Sequence, residues 1–157
     1  MVPGCCGDRA MSTELLRSIQ QVIGLTVLGI RRVFYELRGE MNQTVGALEL
    51  NLSEGRTLLL DAGPDGESLK LQEQAWEDPF AEERLTPENR AFIARSGKWT
   101  AVDVSDDPAY RPVLGGLILQ ANPILAETNK VVGLVLRTNC GDLRAEVEAD
   151  DLYVQIG

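Results

Sequence analysis

The stretch QVIGLTVLGIRRVFYE at residues 21–36 resembles a second stretch, PVLGGLILQANPILAE, at residues 112–127. At an offset of 91 residues, four positions are identical and four more are apolar in both stretches. The identical pairs are Val22 with Val113, Gly24 with Gly115, Leu28 with Leu119, and Glu36 with Glu127. Because branched and aromatic residues follow the glycine, the first stretch predicts a turn and then a β-strand over 27–37. The second stretch predicts the same arrangement.

The similarity continues downstream of both stretches. The sequence NQTVG at 42–46 parallels NKVVG at 129–133, now at an offset of 87, so the first copy has the longer turn by four residues. Further matched segments follow in the same order, namely 53–55 with 139–141 and 67–71 with 150–154. We interpret this shared order as an internal duplication. The alternative is two similar hairpins produced by generic β patterning.

The duplication predicts how the chain is organised. We expect a flexible tail at 1–11 and a single domain at 12–157, with repeat unit 1 at about 12–72, a connector at 73–107 and repeat unit 2 at about 108–157. Two copies are too few for a solenoid. They suit a pseudo-twofold sheet, sandwich or partly closed barrel, in which each unit covers the apolar face of the other.

Local patterns supply the remaining elements. Apolar spacing predicts an N-terminal helix over 13–23, and Thr86 followed by Pro87 predicts the start of a helix in the connector. Alternation of leucine with other residues predicts a half-buried strand over 44–52. Further short strands are expected at 57–62, 68–72 and 99–104. The predicted fold class is therefore α+β, mainly antiparallel β built from the two related units, with an N-terminal helix and one connector helix.

Composition excludes several chemistries. The chain of 157 residues contains no histidine, which removes Ser-His-Asp and Cys-His catalysis from within it. Its three cysteines, Cys5, Cys6 and Cys140, are too few for a four-cysteine zinc site. An odd cysteine count without disulfide spacing indicates a reducing compartment. We expect no catalytic residues, no metal and no cofactor, and the composition favours a protein that is not an enzyme without excluding an enzyme.

Charge and hydropathy indicate which classes of partner and which location to expect. A net charge of −9 disfavours nucleic acid and anionic membranes and fits a basic protein partner. The adjacent pair Arg31-Arg32 is expected on a solvated strand face, paired with local acids. The longest nearly apolar run, 22–30, is far too short to span a bilayer. With no secretory signal in view, the predicted location is cytoplasmic.

An acidic turn at 61–67 superficially resembles a calcium loop. Counted from Asp61, position 3 is Gly63 and position 12 is Gln72, so two carboxylate ligands are missing. We therefore predict a plain hairpin turn. The acidic pairs elsewhere in the chain are interpreted as solvated turns.

The connector holds both tryptophans of the chain. We predict that Trp76, Asp78, Phe80 and Trp99 bind a partner, since tryptophan near an acidic rim is typical of an interaction hot spot. The alternative is that the rings pin the connector onto the sheet as core.

The sequence thus predicts a small, acidic, non-catalytic module that binds a protein partner, and an inhibitor or immunity-type protein for a basic partner fits this description. A second hypothesis is a small-molecule binder or carboxylate-dependent enzyme with its site between the two β-units. A third is a structural subunit that forms homo-oligomers.

Overall fold

The computed structural model describes residues 14–81 and 85–157. Within the described residues, helix α1 covers 14–20 and α2 covers Pro87–Ser96, and the predicted tail at 1–11 lies outside them. The strands of the first sheet are β1 (Val27–Leu37), β2 (Glu40–Asn42), β3 (Leu48–Leu52), β4 (Thr57–Ala62), β5 (Leu69–Gln72) and β6 (Lys98–Asp103). Those of the second sheet are β7 (Ile118–Leu125), β8 (Val131–Thr138), β9 (Asp142–Glu148) and β10 (Asp151–Ile156).

Both sheets are antiparallel meanders with the same strand order. The first runs β1-β3-β4-β5, and the second runs β7-β8-β9-β10. In the first sheet, β2 pairs with the end of β1, and β6 pairs with the other edge of β1 from Arg31 to Glu36. The α+β class, the antiparallel sheets, the N-terminal helix and the connector helix are confirmed.

One apolar core lies between the two sheets. Its fully buried members come from α1 and from both meanders, and include Ile19, Ile30, Leu50, Leu60, Leu134, Leu136 and Leu143. Alternation along each strand sends these side chains to the shared inner face. The two meanders therefore stabilise each other, since each buries most of its leucines against the other.

The starts of β1 and β7 pair with each other. Thr26 lies opposite Leu117 in an antiparallel bridge, and these two positions are 91 residues apart. Four backbone hydrogen bonds surround the bridge, and they form two equivalent pairs. Within each pair, replacing every residue of one bond by the residue 91 positions away gives the other bond. They run from Gly24 N to Ile118 O, Gly115 N to Val27 O, Ile118 N to Leu25 O, and Val27 N to Gly116 O. The bonds thus follow the sequence alignment.

Two further features also follow the sequence alignment, in which Thr26 matches Leu117 at an offset of 91 and Ser53 matches Asn139 at an offset of 86. The Ser53 hydroxyl accepts from the Thr26 N–H, and the Asn139 side-chain oxygen accepts from the Leu117 N–H. Each strand also carries a β-bulge at the matching place, at Leu28 in β1 and Leu119 in β7. These are the features that a duplicated backbone would show, while the duplication itself stays a prediction.

The two adjacent arginines behave differently from the sequence expectation. Arg31 lies on the outer face and pairs with Glu49, as expected. Arg32 is only 1% exposed, so the prediction of a solvated face is wrong for it. Successive residues of a strand point to opposite faces, so one arginine of the pair must face inward.

The buried guanidinium of Arg32 is satisfied by neutral groups. It donates to the Gly46 and Ala47 carbonyls and to the Tyr110 hydroxyl, and lies 5.0 Å from the Phe34 ring centroid. Desolvation lowers its pKa, and Tyr110 acts in the opposite direction. These bonds fasten the chain that enters β3. That strand starts at Leu48, not at Thr44 as the sequence suggests, and the preceding β2 was not predicted.

Candidate functional site

A groove of about 520 Å³ lies on the outer face of the first sheet, under the connector and α2. It is lined by Val33, Tyr35, Ala47, Asp61, Trp76, Glu77, Pro79, Phe80, Phe92, Ser96, Gly97, Lys98 and Trp99. Its volume falls within the range of sites that bind small ligands or short peptide segments.

Two apolar residues, Val33 and Ala47, form the floor of the groove, and Leu59 packs with them. Val33, Ala47 and Leu59 make a buried cluster separate from the main core, and Trp76 and Ala101 pack against it. Val33 and Leu59 point outward because their neighbours on β1 and β4 fill the core. The connector thus crosses the outer face of the sheet with Trp76 as its contact.

Aromatic side chains form the walls. The rings of Tyr35 and Trp99 meet edge to face with centroids 5.4 Å apart, and those of Phe80 and Phe92 are 6.0 Å apart. Such pairs add to the stability that apolar burial provides. Trp99 and Phe92 nevertheless remain 44% exposed each. The chain has two tryptophans, three tyrosines and three phenylalanines, and both tryptophans, one tyrosine and two phenylalanines line this groove.

Helix α2 is held at the rim by its two ends. The Thr86 hydroxyl caps the N-terminus by accepting from the Asn89 N–H at 3.1 Å. At the C-terminus, Gly97 has φ +75°, and a β-carbon there would lie 2.5 Å from the Glu36 carbonyl oxygen. No residue of the helix is buried. Glycine therefore lets the helix end approach β1 closely, which places Phe92 over the groove and not in the core.

The carboxylate of Asp78 is engaged within the protein. One oxygen accepts from the Phe80 N–H at 2.8 Å, and the other pairs with the Lys98 ammonium at 3.1 Å. This pair fastens the connector to β6 and neutralises the lysine in the groove wall. Asp78 was predicted to bind a partner, which stays a prediction, and in the structure its carboxylate also positions Phe80.

Two other acids line the groove. Asp61 and Glu77 form no salt bridge within the described part of the chain. Partial desolvation raises the pKa of Asp61, against the effects of the Ala62 N–H and Lys70. Lys70 is the cross-strand neighbour of Asp61 on β5.

The structure brings all four predicted partner-binding residues to one place. Trp76 and Phe80 are half-buried, and Trp99 is exposed. These side chains therefore both pack on the sheet and leave part of their surface accessible. The sequence analysis did not single out Tyr35 and Phe92. Outward alternation in β1 marks Tyr35, whereas nothing in the weakly amphipathic α2 marks Phe92.

The acidic turn at 61–67 is a plain hairpin turn, as predicted. It joins β4 to β5, and the Asp65 carboxylate accepts from Glu67 N, Ser68 N and the Ser68 hydroxyl. Within 14–81 and 85–157, no three histidine, cysteine, aspartate or glutamate side chains come together to hold a metal. A shallow polar depression of about 160 Å³ lies on the second sheet, beside Arg144 and Tyr153.

Comparisons with known protein families, curated protein sequences and solved structures found no significant match. Across the residues that the structure describes, no helix has the length and apolar character needed to cross a bilayer.

Proposed function

We propose that this chain is a non-catalytic protein-binding module whose aromatic groove docks a basic segment of a partner protein. The observation that carries this proposal is the gathering of both tryptophans and three other aromatic rings around one open groove. Tryptophan and tyrosine dominate interface hot spots because they bury much area with little loss of conformational freedom. Exposed rings held in place by a scaffold fit that role.

The charge of the chain supports a basic partner. The net charge of −9 attracts a cationic protein during diffusional encounter. In the groove itself, Lys98 is neutralised by Asp78, whereas Asp61 and Glu77 have no salt-bridge partner among the described residues. A basic segment would therefore meet attraction both at a distance and in contact. An inhibitor or immunity-type protein is one kind of module with these properties.

Selection of binding peptides from a random display library would test the proposal. We expect the selected sequences to be enriched in lysine and arginine, and to bind more weakly at high salt. Trp99→Ala should weaken their binding by about tenfold or more, since truncation of a hot-spot aromatic has an effect of this size. Tyr153→Ala is the matched control, because Tyr153 is an aromatic residue of the second sheet that is 38% exposed and lies outside the groove.

Two outcomes would contradict the proposal. One is a set of selected peptides with no excess of basic residues. The other is equal binding to wild type and to Trp99→Ala, with loss of binding in Tyr153→Ala.

A second candidate function is the binding of a small molecule in the same groove, which its volume favours. The sequence hypothesis placed such a site between the two β-units, a space that core side chains occupy in the structure. Thermal-shift screening of small aromatic and cationic compounds, with Trp99→Ala as the negative control, distinguishes this function. Small-molecule binding would be favoured if a compound stabilises the wild-type protein but not Trp99→Ala, and if display selection yields no binding peptides.

A cytoplasmic location belongs to the same proposal. It is supported by the exposed free thiol of Cys140, which a reducing compartment protects from oxidation.

A further inference from the structure

We infer that the groove recognises a basic side chain of the partner, whose cation lies against the ring of Trp76 and pairs with the carboxylate of Asp61. This inference rests on the proposed docking function and names the group that the groove selects. It is carried by the aromatic rings that line this groove together with Asp61, an acid that has no salt-bridge partner among the described residues.

The register of the sheet brings these two residues together. Leu48 of β3 lies opposite Leu60 of β4, so Ala47, which directly precedes β3, lies near Asp61, the residue that follows Leu60. Trp76 packs on the cluster that contains Ala47. Asp61, Trp76 and Ala47 therefore all line the same groove. Because alanine has a short side chain, it leaves room above the floor.

The charges around Asp61 leave space for an incoming cation. Lys98, on the wall formed by β6, is occupied by Asp78. Lys70 neighbours Asp61 on β5, but the two side chains form no salt bridge in the described residues. Glu77 adds a second negative charge from the connector. The groove thus holds two acids that have no salt-bridge partner in the described part of the chain.

Other occupants fit less well. An anion would face both Asp61 and Glu77, and like charges in contact are repulsive. A purely apolar segment would cover Asp61 without giving it a partner, and burying an unpaired carboxylate is costly. A guanidinium or ammonium group satisfies the carboxylate and also gains from contact with the ring face. Desolvation raises the pKa of Asp61, against the opposing effects of the Ala62 N–H and the charge of Lys70.

The chain contains a natural sensor for this test. Both of its tryptophans line the groove, so indole signals report on this site alone. The probes are N-acetyl-arginine amide and N-acetyl-citrulline amide, which have nearly the same shape but differ in charge. Titration followed by the indole N–H resonances in NMR gives the affinity of each probe.

We expect the arginine compound to bind about tenfold more tightly than the citrulline compound to the wild-type protein. Asp61→Asn should bring the two affinities to within about twofold of each other. Asparagine keeps the oxygen that accepts from the Ala62 N–H, so the fold is retained while the charge is removed. Glu148→Gln, on the second sheet beside the shallow depression, should leave the preference for arginine unchanged.

The inference is overturned if the wild-type protein binds both compounds equally, if neither compound moves the indole signals, or if Asp61→Asn keeps the preference for arginine. None of these results decides the docking function. That function stands or fails with the peptide selection and its Trp99→Ala control, which do not depend on Asp61.

Discussion

The two meanders share a strand order and a core, but their outer edges and faces differ. In the first sheet, β6 covers the free edge of β1, and the connector and α2 cover part of the outer face. In the second sheet, β7 occupies the place of β1, and no described strand pairs with its other edge along Ile118–Leu125. Its outer face carries polar residues such as Arg144 and Glu146, which pair at 3.0 Å.

This difference locates the site. The groove exists because the segment between the two units returns to the first sheet as α2 and β6, and the second unit has no such addition in the described residues. Pro123 lies within β7, and proline protects an exposed edge strand because it cannot donate to an added strand. The scaffold is therefore common to both units, whereas the accessible aromatic surface belongs to the connector.

The largest expected difference between the two units involves Gly46 and Gly133, which the sequence alignment matches. Gly46 has φ +146°, and a β-carbon there would lie 1.8 Å from the Val33 carbonyl oxygen. Gly133, its counterpart in unit 2, would place a β-carbon 2.5 Å from the Ala145 carbonyl oxygen, with ordinary backbone angles. Gly46→Ala should destabilise the fold by about 4 kcal/mol and Gly133→Ala by about 2 kcal/mol.

Chemical denaturation measures both changes. Gly55→Ala is the control, because Gly55 has φ +68° in open space and alanine there should cost only about 1 kcal/mol. Equal losses of stability in Gly46→Ala and Gly133→Ala would contradict the expectation that the backbone is more tightly constrained at Gly46.

The next test asks whether the two units unfold together. Leu136 is 1% exposed in β8, within the shared core, so Leu136→Ala should destabilise the protein by about 3 kcal/mol. Tryptophan fluorescence reports on the first sheet and its connector, whereas far-UV circular dichroism reports on both sheets. With one core, the midpoint should fall equally by both probes. A fall seen by circular dichroism alone would show that the units are independent.

The third test concerns stability in acid and its dependence on the turn at 63–68. The corresponding turn in unit 2, at 149–150, is shorter. Hydrogen bonds from Ser68 and Glu67 hold the pKa of Asp65 well below its usual value of 3.8. A depressed carboxyl pKa stabilises the fold above the unfolded value, and this stabilisation is lost as the pH falls below it. Asp65→Asn should therefore be less stable than wild type at pH 7, with a smaller difference near pH 3.

Urea midpoints of both proteins at the two pH values give this difference directly. Comparing the two proteins removes the pH effects that they share. A difference that does not change between the two pH values would show that the charge of Asp65 contributes nothing to stability.

The smallest expected effects test the equivalence of the two β-bulges. Leu28 and Leu119 are 63% and 52% exposed at the bulges of β1 and β7. Leu28→Ser and Leu119→Ser should each change the free energy of unfolding by less than about 0.5 kcal/mol, as exposed positions do. Thermal melts would check both variants, and a large loss in only one would mean that the bulges have different surroundings.

Much of the scaffold was predictable from local patterns. The bounds of β1 and β4 agree with the predicted strands, and α2 begins where Thr86 and Pro87 indicate. The predicted and observed bounds differ where contacts between distant parts of the chain determine the backbone path. The bonds from Arg32 to Gly46 and Ala47 help hold 43–47 outside β3, although alternation suggested a longer strand.

The candidate site was predictable in part. The composition of the connector indicated Trp76, Phe80 and Trp99, because aromatic residues are rare in this chain. Asp61 was considered only as part of a turn. Its place in the groove depends on the pairing of β3 with β4 and on the path of the connector.

Residue spacing and turn chemistry act over a few neighbouring residues, so local patterns suffice to predict most antiparallel elements, their turns and the pairs of matched positions. The acidic charge and the absence of histidine are likewise properties of the sequence. Which arginine of the adjacent pair is buried, and which rings meet around the groove, depends on tertiary packing. Tyr35, Asp61 and Trp99 lie far apart in the chain, and strand pairing brings them to one face.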